Sequence, residues 1–330
     1  MGDKIRVFEA FAGYGSQSIA LRNIGIDYEV VAISEIDKYA IKAYELIHGQ
    51  VNNLGDISKI NVEDVPQHDL FTYSFPCQDI SVAGKQNGMI KNETRSGLLY
   101  ECEKIIEYCR PKYLLMENVK NLLGRKFKPQ FDDWLAYLES LGYTNYYQVL
   151  NAKDYGIPQN RDRVFCVSIL GEHKKYSFPK PTPLTVSIKD ILDENCDNLT
   201  YEKDKFVRVS ENIKPCVRVN YESEKYEISI SDKDIYQCKC SSGWQDNKVG
   251  IKVVPTLRAN NSHTCVYTGY EIRKITPKEA FKFMGLKDED ILKIQSSDIS
   301  DTQQYKMAGN SIVVNVLEEI FRELFIGKIR

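Results

Sequence analysis

Cys77 follows Pro76 at the end of the apolar run Asp69-Leu-Phe-Thr-Tyr-Ser-Phe75, and Gln78 and a glycine-dotted loop come next. Such a run predicts a buried strand, with the thiol on a stiff turn at its C-terminal edge. Ligands and chemistry gather at those edges in open α/β sheets. A cysteine there is a candidate nucleophile, because the thiolate is intrinsically reactive and nearby positive groups tune its pKa. Glu117-Asn118-Val119 closes a second apolar run, Lys112 to Met116, in the same manner. If the two strands are neighbours, Glu117 faces the same pocket. A carboxyl whose pKa is raised by burial can donate to or protonate a ring nitrogen; the plainer alternative is a helix cap or a surface acid. Gln159-Asn-Arg161-Asp-Arg163 places two arginines at i, i+2, on one face of an extended segment. Their forked donors suit a carbonyl oxygen or a phosphate, unless they form a solvated basic edge.

A second constellation lies near the N-terminus. Phe11-Ala-Gly13-Tyr-Gly15-Ser16 follows one predicted strand and opens a helix. Two glycines let backbone approach a ligand closely, and a helix start favours anionic groups. The spacing is shorter than G-x-G-x-x-G and lacks G-K-[ST], so neither a dinucleotide nor an ATP phosphate is well matched. Glu35 ends the second predicted strand, where an acid can hydrogen-bond a ribose diol, and Asp56 can reach an adenine amino group from a third edge. Together they suit a nucleoside cofactor without a pyrophosphate. Gly309-Asn310-Ser311 reads as the opening of the last helix, as caps or as ligand contacts.

The elements that must carry these residues alternate. Strands are expected at 5–10, 29–33, 69–75, 112–116, 146–150 and 163–169. Helices are expected at 17–23, 38–48, 97–109, 134–141, 277–284 and 312–325. Alternation of this kind predicts an α/β fold with a doubly wound, mostly parallel sheet. Phe178-Pro-Lys-Pro-Thr-Pro183 marks a boundary, after which the chain is polar, charge-balanced and marked by short β-like runs. The expected organisation is a discontinuous catalytic, cofactor-binding domain, 1–183 and 272–330, interrupted by a small irregular β-rich domain at 184–271.

Bulk composition narrows the class. The chain has 330 residues, 42% hydrophobic and 27% charged, as in a soluble globular protein. No apolar run is long enough to span a membrane, and the N-terminus enters a strand without a signal-peptide pattern. Nine scattered cysteines, with only Cys238 and Cys240 closely paired, read as thiols rather than as a disulfide framework or a zinc site. A net charge of −2 gives no global attraction to nucleic acid, though a basic cleft remains compatible with it.

The segments Phe11-Ala-Gly-Tyr-Gly, Phe75-Pro-Cys-Gln, Glu117-Asn-Val, Gln159-Asn-Arg-Asp-Arg163 and Gly309-Asn-Ser, in this order, resemble the cytosine-C5 DNA methyltransferases of bacterial restriction–modification systems. Leu150-Asn-Ala-Lys-Asp-Tyr-Gly-Ile-Pro158 and Arg273-Lys-Ile-Thr-Pro277 are similar to that family too. The resemblance covers nearly the whole chain except about 184–255, in the unpermuted motif order. It implies a Rossmann-like fold that uses S-adenosylmethionine and leaves S-adenosylhomocysteine, with no metal. Phe11, Gly13, Gly15, Glu35, Ile36, Asp56, Ile57, Pro76, Leu98, Asn310 and Ser311 would surround that cofactor. Cys77 would be the nucleophile, Glu117 the acid on the base, and Arg161 and Arg163 the pocket arginines.

The family chemistry explains these residue types. Thiolate addition at C6 of cytosine makes C5 enamine-like, Glu117 bonds N3 and the exocyclic amine as charge develops, and Arg163 binds O2. A duplex hides C6, so the base must be flipped out; the loop Ser81 to Gly88 would close over it. The partner would be double-stranded DNA, met by a monomer in the cytoplasm of a bacterium or as a phage product. The insert, as target-recognition domain, offers Lys239, Trp244, Gln245, Asn247, Lys248, Thr256, Arg258, Asn260 and Asn261 as base readers or phosphate contacts, beside Ser81. Gln245 falls roughly where the family fills the space of the flipped base. Two rivals stand next to this reading: an RNA (tRNA) cytosine-C5 methyltransferase, and a non-catalytic DNA-binding regulator that kept the fold.

Overall fold

The computed structural model describes residues 4–81, 87–90, 94–193, 206–207, 217–220, 225–228, 235–238, 247–250, 253–257, 259, 264–267 and 272–327. The chain forms two compact units. One comprises 1–151, 162–180 and 311–330; the other comprises 152–161 and 181–310. The break at 180/181 falls in the Pro-rich boundary. Residues 152–161 and 272–310, assigned from sequence to the catalytic domain, pack with the second unit.

The first unit is built on β1 (Ile5–Ala10), α1 (Ser16–Asn23), β2 (Tyr28–Ser34), α2 (Lys38–His48), β3 (Leu70–Tyr73), α3 (Leu99–Cys109), β4 (Tyr113–Val119), α4 (Lys128–Ser140) and β5 (Tyr143–Asn151). After the two-residue strand β6 (Gln159–Asn160) of the other unit, it resumes with β7 (Asp162–Leu170). The sheet order is β2-β1-β3-β4-β7-β5. β2, β1, β3 and β4 pair parallel, while β7 pairs antiparallel with both β4 and β5. This is the mostly parallel α/β sheet read from the alternation of elements, and the Rossmann-like fold that the resemblance implies.

Side-chain alternation divides β1 between two faces. Phe8 and Ala10 join Phe71, Tyr73, Leu114 and Met116 in a core with Leu99, Ile105 and Ile106 of α3 and Phe131, Trp134 and Leu138 of α4. Each large side chain buried there contributes about 1.5–3 kcal/mol. On the other face Glu9 accepts a hydrogen bond from Ser18 of α1 at 2.8 Å, and Ile33 packs with Tyr44 of α2. Helices on both faces leave the strand ends as the exposed working edge.

The second unit holds α5 (Ile188–Ile191), β8 (Phe206–Val207), β9 (Val217–Asn220), β10 (Lys225–Ile228), β11 (Ile235–Cys238), β12 (Asn247–Gly250), β13 (Val254–Pro255), β14 (Cys265–Tyr267) and β15 (Ile272–Lys274), then α6 (Pro277–Lys282), α7 (Asp288–Gln295) and α8 (Asp301–Asn310). Among the described residues its sheet runs β15-β14-β12-β11-β9-β10-β8, with β13 paired to β6 alone. Thr276 and Glu279 form a reciprocal capping box at the start of α6, with Pro277 in the first turn, which explains why a helix begins there. The chain ends in the first unit with α9 (Val314–Phe321), which continues as one π-type turn, Arg322–Ile326. Gly309 and Asn310 therefore close α8 rather than open the last helix. Ser311 lies in the break before α9, which is capped by Val313 without a side-chain bond.

Among the described residues no helix is long and apolar enough to cross a membrane, and no cluster of potential metal ligands occurs.

Candidate active site

The glycine loop sits where β1 hands over to α1. Phe11 has φ 56°, Gly13 φ 59° and Gly15 φ 80°. A bulky residue in the left-handed region is strained, and such strain concentrates at ligand sites. The two glycines differ in kind. A Cβ on Gly13 would meet no atom within 4 Å, so that backbone borders open space. A Cβ on Gly15 would stand 2.5 Å from Nε2 of His48 and 2.7 Å from the Tyr44 ring, so only glycine lets α1 start against α2.

Glu35 at the end of β2 ties this loop down. Its Oε2 accepts from Gly13 N–H at 2.8 Å, and its Oε1 accepts from the N–H groups of Ile36 and Asp37, both at 2.8 Å. A carboxylate offers about four lone-pair sites, so one acceptor direction remains for a ligand. Asn53 braces the same corner: its amide donates to Glu35 O at 3.1 Å and accepts from Glu35 N–H at 3.2 Å. Ile36 is 72% exposed, an apolar side chain standing in the open next to Glu35.

Asp56 caps a short 3-10 turn, accepting from the N–H and the hydroxyl of Ser58 at 3.1 and 2.8 Å. The Ser58 bonds hold its carboxyl below the usual range. Ile57 is buried in the core, so its backbone rather than its side chain borders the edge. Leu98 and Phe11 lean half-buried on the same core. Ser311 pairs its hydroxyl with Tyr14 of the loop at 2.6 Å. Asn310, exposed, ends α8 of the other unit.

The second edge carries Cys77. β3 ends at Tyr73, and Cys77 begins a turn in which its carbonyl accepts from the N–H groups of Ile80 and Ser81 at 3.0 and 2.7 Å. Side chains hold the backbone around the thiol. Asn118 donates to Phe75 O at 3.1 Å, Ser96 to Pro76 O at 2.6 Å, and Asn121 to Ile80 O at 2.6 Å. Cys77 itself is half-buried. β3 and β4 are hydrogen-bonded neighbours, with Tyr73 opposite Met116. Glu117, next along β4, therefore ends at the same edge, and Asn118 bridges directly to the cysteine loop.

Arg163 reaches Glu117 from β7: Nε lies 3.0 Å from Oε1, with side chains 15% and 11% exposed. The antiparallel register puts Glu117 opposite Phe165 and Arg163 opposite Val119, so this is a diagonal cross-strand pair.

Arg161 behaves differently. The extended run is broken between β6 and β7, and Arg161 is buried, donating Nη1 to Leu257 O at 2.9 Å and Nη2 to Gly309 O at 3.0 Å, all within the second unit. A buried guanidinium needs partners for its donors, and backbone carbonyls take one donor on each of its two terminal nitrogens here. Arg161 and Arg163, two residues apart, thus turn to different partners in different units.

Of the DNA-contact candidates, Ser81 lies in the turn after Cys77. Thr256 spends its hydroxyl on Asn160 O at 2.7 Å, a tie between β13 and β6. Gln245 and Arg258 lie outside the described residues, as do Lys239, Trp244, Asn260, Asn261 and positions 82–86 of the expected closing loop. Sequence reasoning passed over Tyr14, Asn53, Asp79, Ser96 and Asn121. Only their positions beside the motifs signalled them; their partners lie up to 297 residues away in sequence, as Tyr14 and Ser311 do.

A mostly parallel sheet, with a strained glycine loop, an acid at the end of the next strand, and a thiol and a carboxylate–guanidinium pair near the ends of neighbouring strands, defines a Rossmann-like α/β fold. A model of the C-5 cytosine-specific DNA methylase family matches residues 5–326, and the chain belongs to that family. It is similar to the type II methyltransferase M2.ScrFI of Lactococcus lactis subsp. cremoris, 40% identical over 97% of this chain and 99% of the relative. It is also similar to M.Bsp6I of Bacillus sp. (strain RFL6), at 35% over 97% and 98%. Among solved structures, S. pombe Dnmt2 methyltransferase superimposes with TM-score 0.70 at 17% identity, covering 99% of this chain and 100% of that one. A putative DNA modification methyltransferase from an E. coli prophage gives 0.68 at 18%, covering 98% and 99%. At these identities the structures speak for the fold alone. Membership makes the protein a DNA cytosine-C5 methyltransferase with S-adenosylmethionine as its methyl donor.

Proposed function

We propose that this enzyme methylates C5 of a cytosine turned out of duplex DNA, as the modification partner of a type II restriction–modification system. The observation that carries the site assignment is the tie between the two strand edges. Asn118, adjacent to Glu117, hydrogen-bonds the carbonyl two residues before Cys77, while Arg163 holds the Glu117 carboxylate.

The residues fit the methyl donor. The open space at Gly13 accepts close backbone approach, the remaining Glu35 acceptor suits a ribose diol, and exposed Ile36 offers an apolar surface to adenine. Asp56 and the Ile57 backbone border the adenine edge. Phe11, Gly15, Pro76, Leu98 and Ser311 of the first unit complete the surround; within the second unit Arg161 holds the Gly309 carbonyl next to Asn310. When bound, S-adenosylmethionine supplies an electrophilic methyl group on a sulfonium.

Cys77 as thiolate adds its Sγ to C6 of the cytosine, and the ring electrons shift toward C5. Glu117, protonated in the complex, donates its proton to N3 as negative charge develops there and accepts from the exocyclic amine, while Arg163 orients that carboxyl and faces O2. C5 takes the methyl group, its proton passes to water, N3 returns its proton to Glu117, and the Sγ–C6 bond breaks to restore the aromatic ring and the thiolate. The base is reached by flipping. Sequence choice lies in 184–271. The protein acts as a monomer on DNA in the cytoplasm, without metal.

Bisulfite sequencing of DNA from cells expressing the chain tests the reading. One protected cytosine in a fixed short sequence is expected. No protected cytosine in DNA, with methylation of tRNA instead, overturns it.

A further inference from the structure

Ser96 belongs to none of the segments that carry the family resemblance, yet it touches the nucleophile's own backbone. It is fully buried, and its hydroxyl donates to Pro76 O, the carbonyl of the peptide that bears the Cys77 nitrogen, at 2.6 Å. Its own N–H donates to Oδ2 of Asp79 at 3.2 Å. Asp79 is 6% exposed, lies two residues beyond Cys77, and accepts from Gly88 N–H through its carbonyl at 2.9 Å. Ser96 thus grips the chain on both sides of Cys77, once through a side-chain donor and once through a backbone donor. It is held in turn by the 3-10 turn Arg95–Leu98, which Thr94 caps by accepting from Gly97 N–H. That turn runs directly into α3, whose Leu99, Cys102 and Ile105 are core residues.

We propose that Ser96, seated on Asp79, is a positioning residue for Cys77: it transmits the rigidity of the α3 core to the peptide before the thiol and fixes the direction in which Sγ meets C6. The inference rests on the assignment of Cys77 as nucleophile. Attack on a ring carbon requires the sulfur within a narrow range of distance and angle, and a misplacement of about 1 Å can cost on the order of 100-fold in rate. Pro76 fixes only one dihedral of this turn, so the peptide plane ahead of Cys77 needs an external hold. A half-buried carbonyl left without its donor would turn toward another.

The test uses the full-length enzyme, S-adenosylmethionine, and a duplex carrying the bisulfite-mapped target with 5-fluorocytosine at the methylated position. Fluorine cannot leave as a proton does, so the Cys77–C6 adduct accumulates and its formation rate is read directly. Binding of S-adenosylmethionine and of the unmodified duplex is measured alongside by calorimetry. Ser96→Ala is expected to slow adduct formation tenfold or more while both affinities stay within threefold. Asp79→Ala should act in the same direction. Asp79→Asn, which keeps an acceptor for the Ser96 N–H, should stay within threefold of wild type. An adduct rate for Ser96→Ala within twofold of wild type overturns the inference, as does a loss of cofactor affinity that matches the loss of rate. If Ser96→Ala does not fold, the Asp79 pair decides: equal behaviour of its alanine and asparagine variants overturns the inference. Wild-type enzyme that forms no adduct would instead overturn the assignment of Cys77.

Discussion

The guanidinium of Arg163 and the carboxylate of Glu117 meet at 3.0 Å across two antiparallel strands, nearly sealed from solvent on both sides. A buried charge pair of this kind fixes orientation more than it adds stability. Arg163 keeps the Glu117 carboxyl aimed in one direction, and under the proposed function the two act as a unit on the base. Glu117→Gln and Arg163→Ala are each expected to lower kcat about 100-fold or more. The double variant should fall well short of the product of the two, with a coupling of about 1–3 kcal/mol in a double-mutant cycle. Additive losses would separate the two residues.

Cys77→Ala should abolish methyl transfer while leaving S-adenosylmethionine affinity within a few-fold, since the glycine loop and Glu35 do not depend on the thiol. Cys77→Ser is expected to be nearly as inactive, because a hydroxyl is a far weaker nucleophile at neutral pH. A serine variant with near wild-type turnover in a tritium-transfer assay would exclude the covalent route.

Buried Glu9 gives the fold a pH signature. Burial pushes its carboxyl up to about 7, with Ser18 and Tyr44 hydrogen bonds opposing the shift. The folded state therefore binds this proton at a pH where the unfolded chain has released it. The stabilising contribution is full below the unfolded value of 4.5 and is lost as pH rises through about 7. Glu9→Gln should remove that slope and exceed wild type in stability at pH 8 by up to roughly 3 kcal/mol. Urea unfolding at pH 5.5 and pH 8 checks it; parallel pH dependences of variant and wild type would disprove it.

The two glycines of the loop should separate binding from folding. Gly15→Ala drives a Cβ into His48 and Tyr44 at a residue with φ 80°, so a fall of several degrees in Tm is expected together with weaker cofactor binding. Gly13→Ala meets no protein atom within 4 Å, so its effect should concentrate on S-adenosylmethionine affinity with a smaller loss of stability from its φ of 59°. Equal effects of the two on affinity and Tm would refute the distinction. Thermal unfolding and calorimetry on both variants settle it.

Exchange of residues 184–271 for those of a relative with another target should move the methylated sequence and leave the covalent chemistry in place. Loss of a single base-reading residue should cost about 1–3 kcal/mol at one position of the site, whereas loss of a phosphate-binding lysine should weaken all sequences alike and flatten the salt dependence. An active chimera that keeps the original target, read by bisulfite mapping, would place recognition elsewhere.

Much of this architecture was legible in sequence because its signals are local. The apolar run ending before Pro76-Cys77 and the one ending at Glu117 marked two strand edges, and α2 occupies the expected 38–48. Asp37 explains that precision, since its side chain caps the helix at Tyr39 N–H and fixes its start. The glycine loop, too, declared itself through residues whose backbone geometry few others tolerate. What the tertiary structure decided depends on partners distant in sequence. The break after Asn160 sends Arg161 to the carbonyls of Leu257 and Gly309 while Arg163 turns to Glu117, although the two arginines are only two residues apart. Gly309 and Asn310 close a helix instead of opening one, and directly after them the chain passes from one packing unit to the other. Ser96 gained its place beside Cys77 only when α3 packed onto the sheet. A sequence states which side chains are able to donate, accept or attack. Which of them meet is decided by which buried polar groups must find partners once the core has closed.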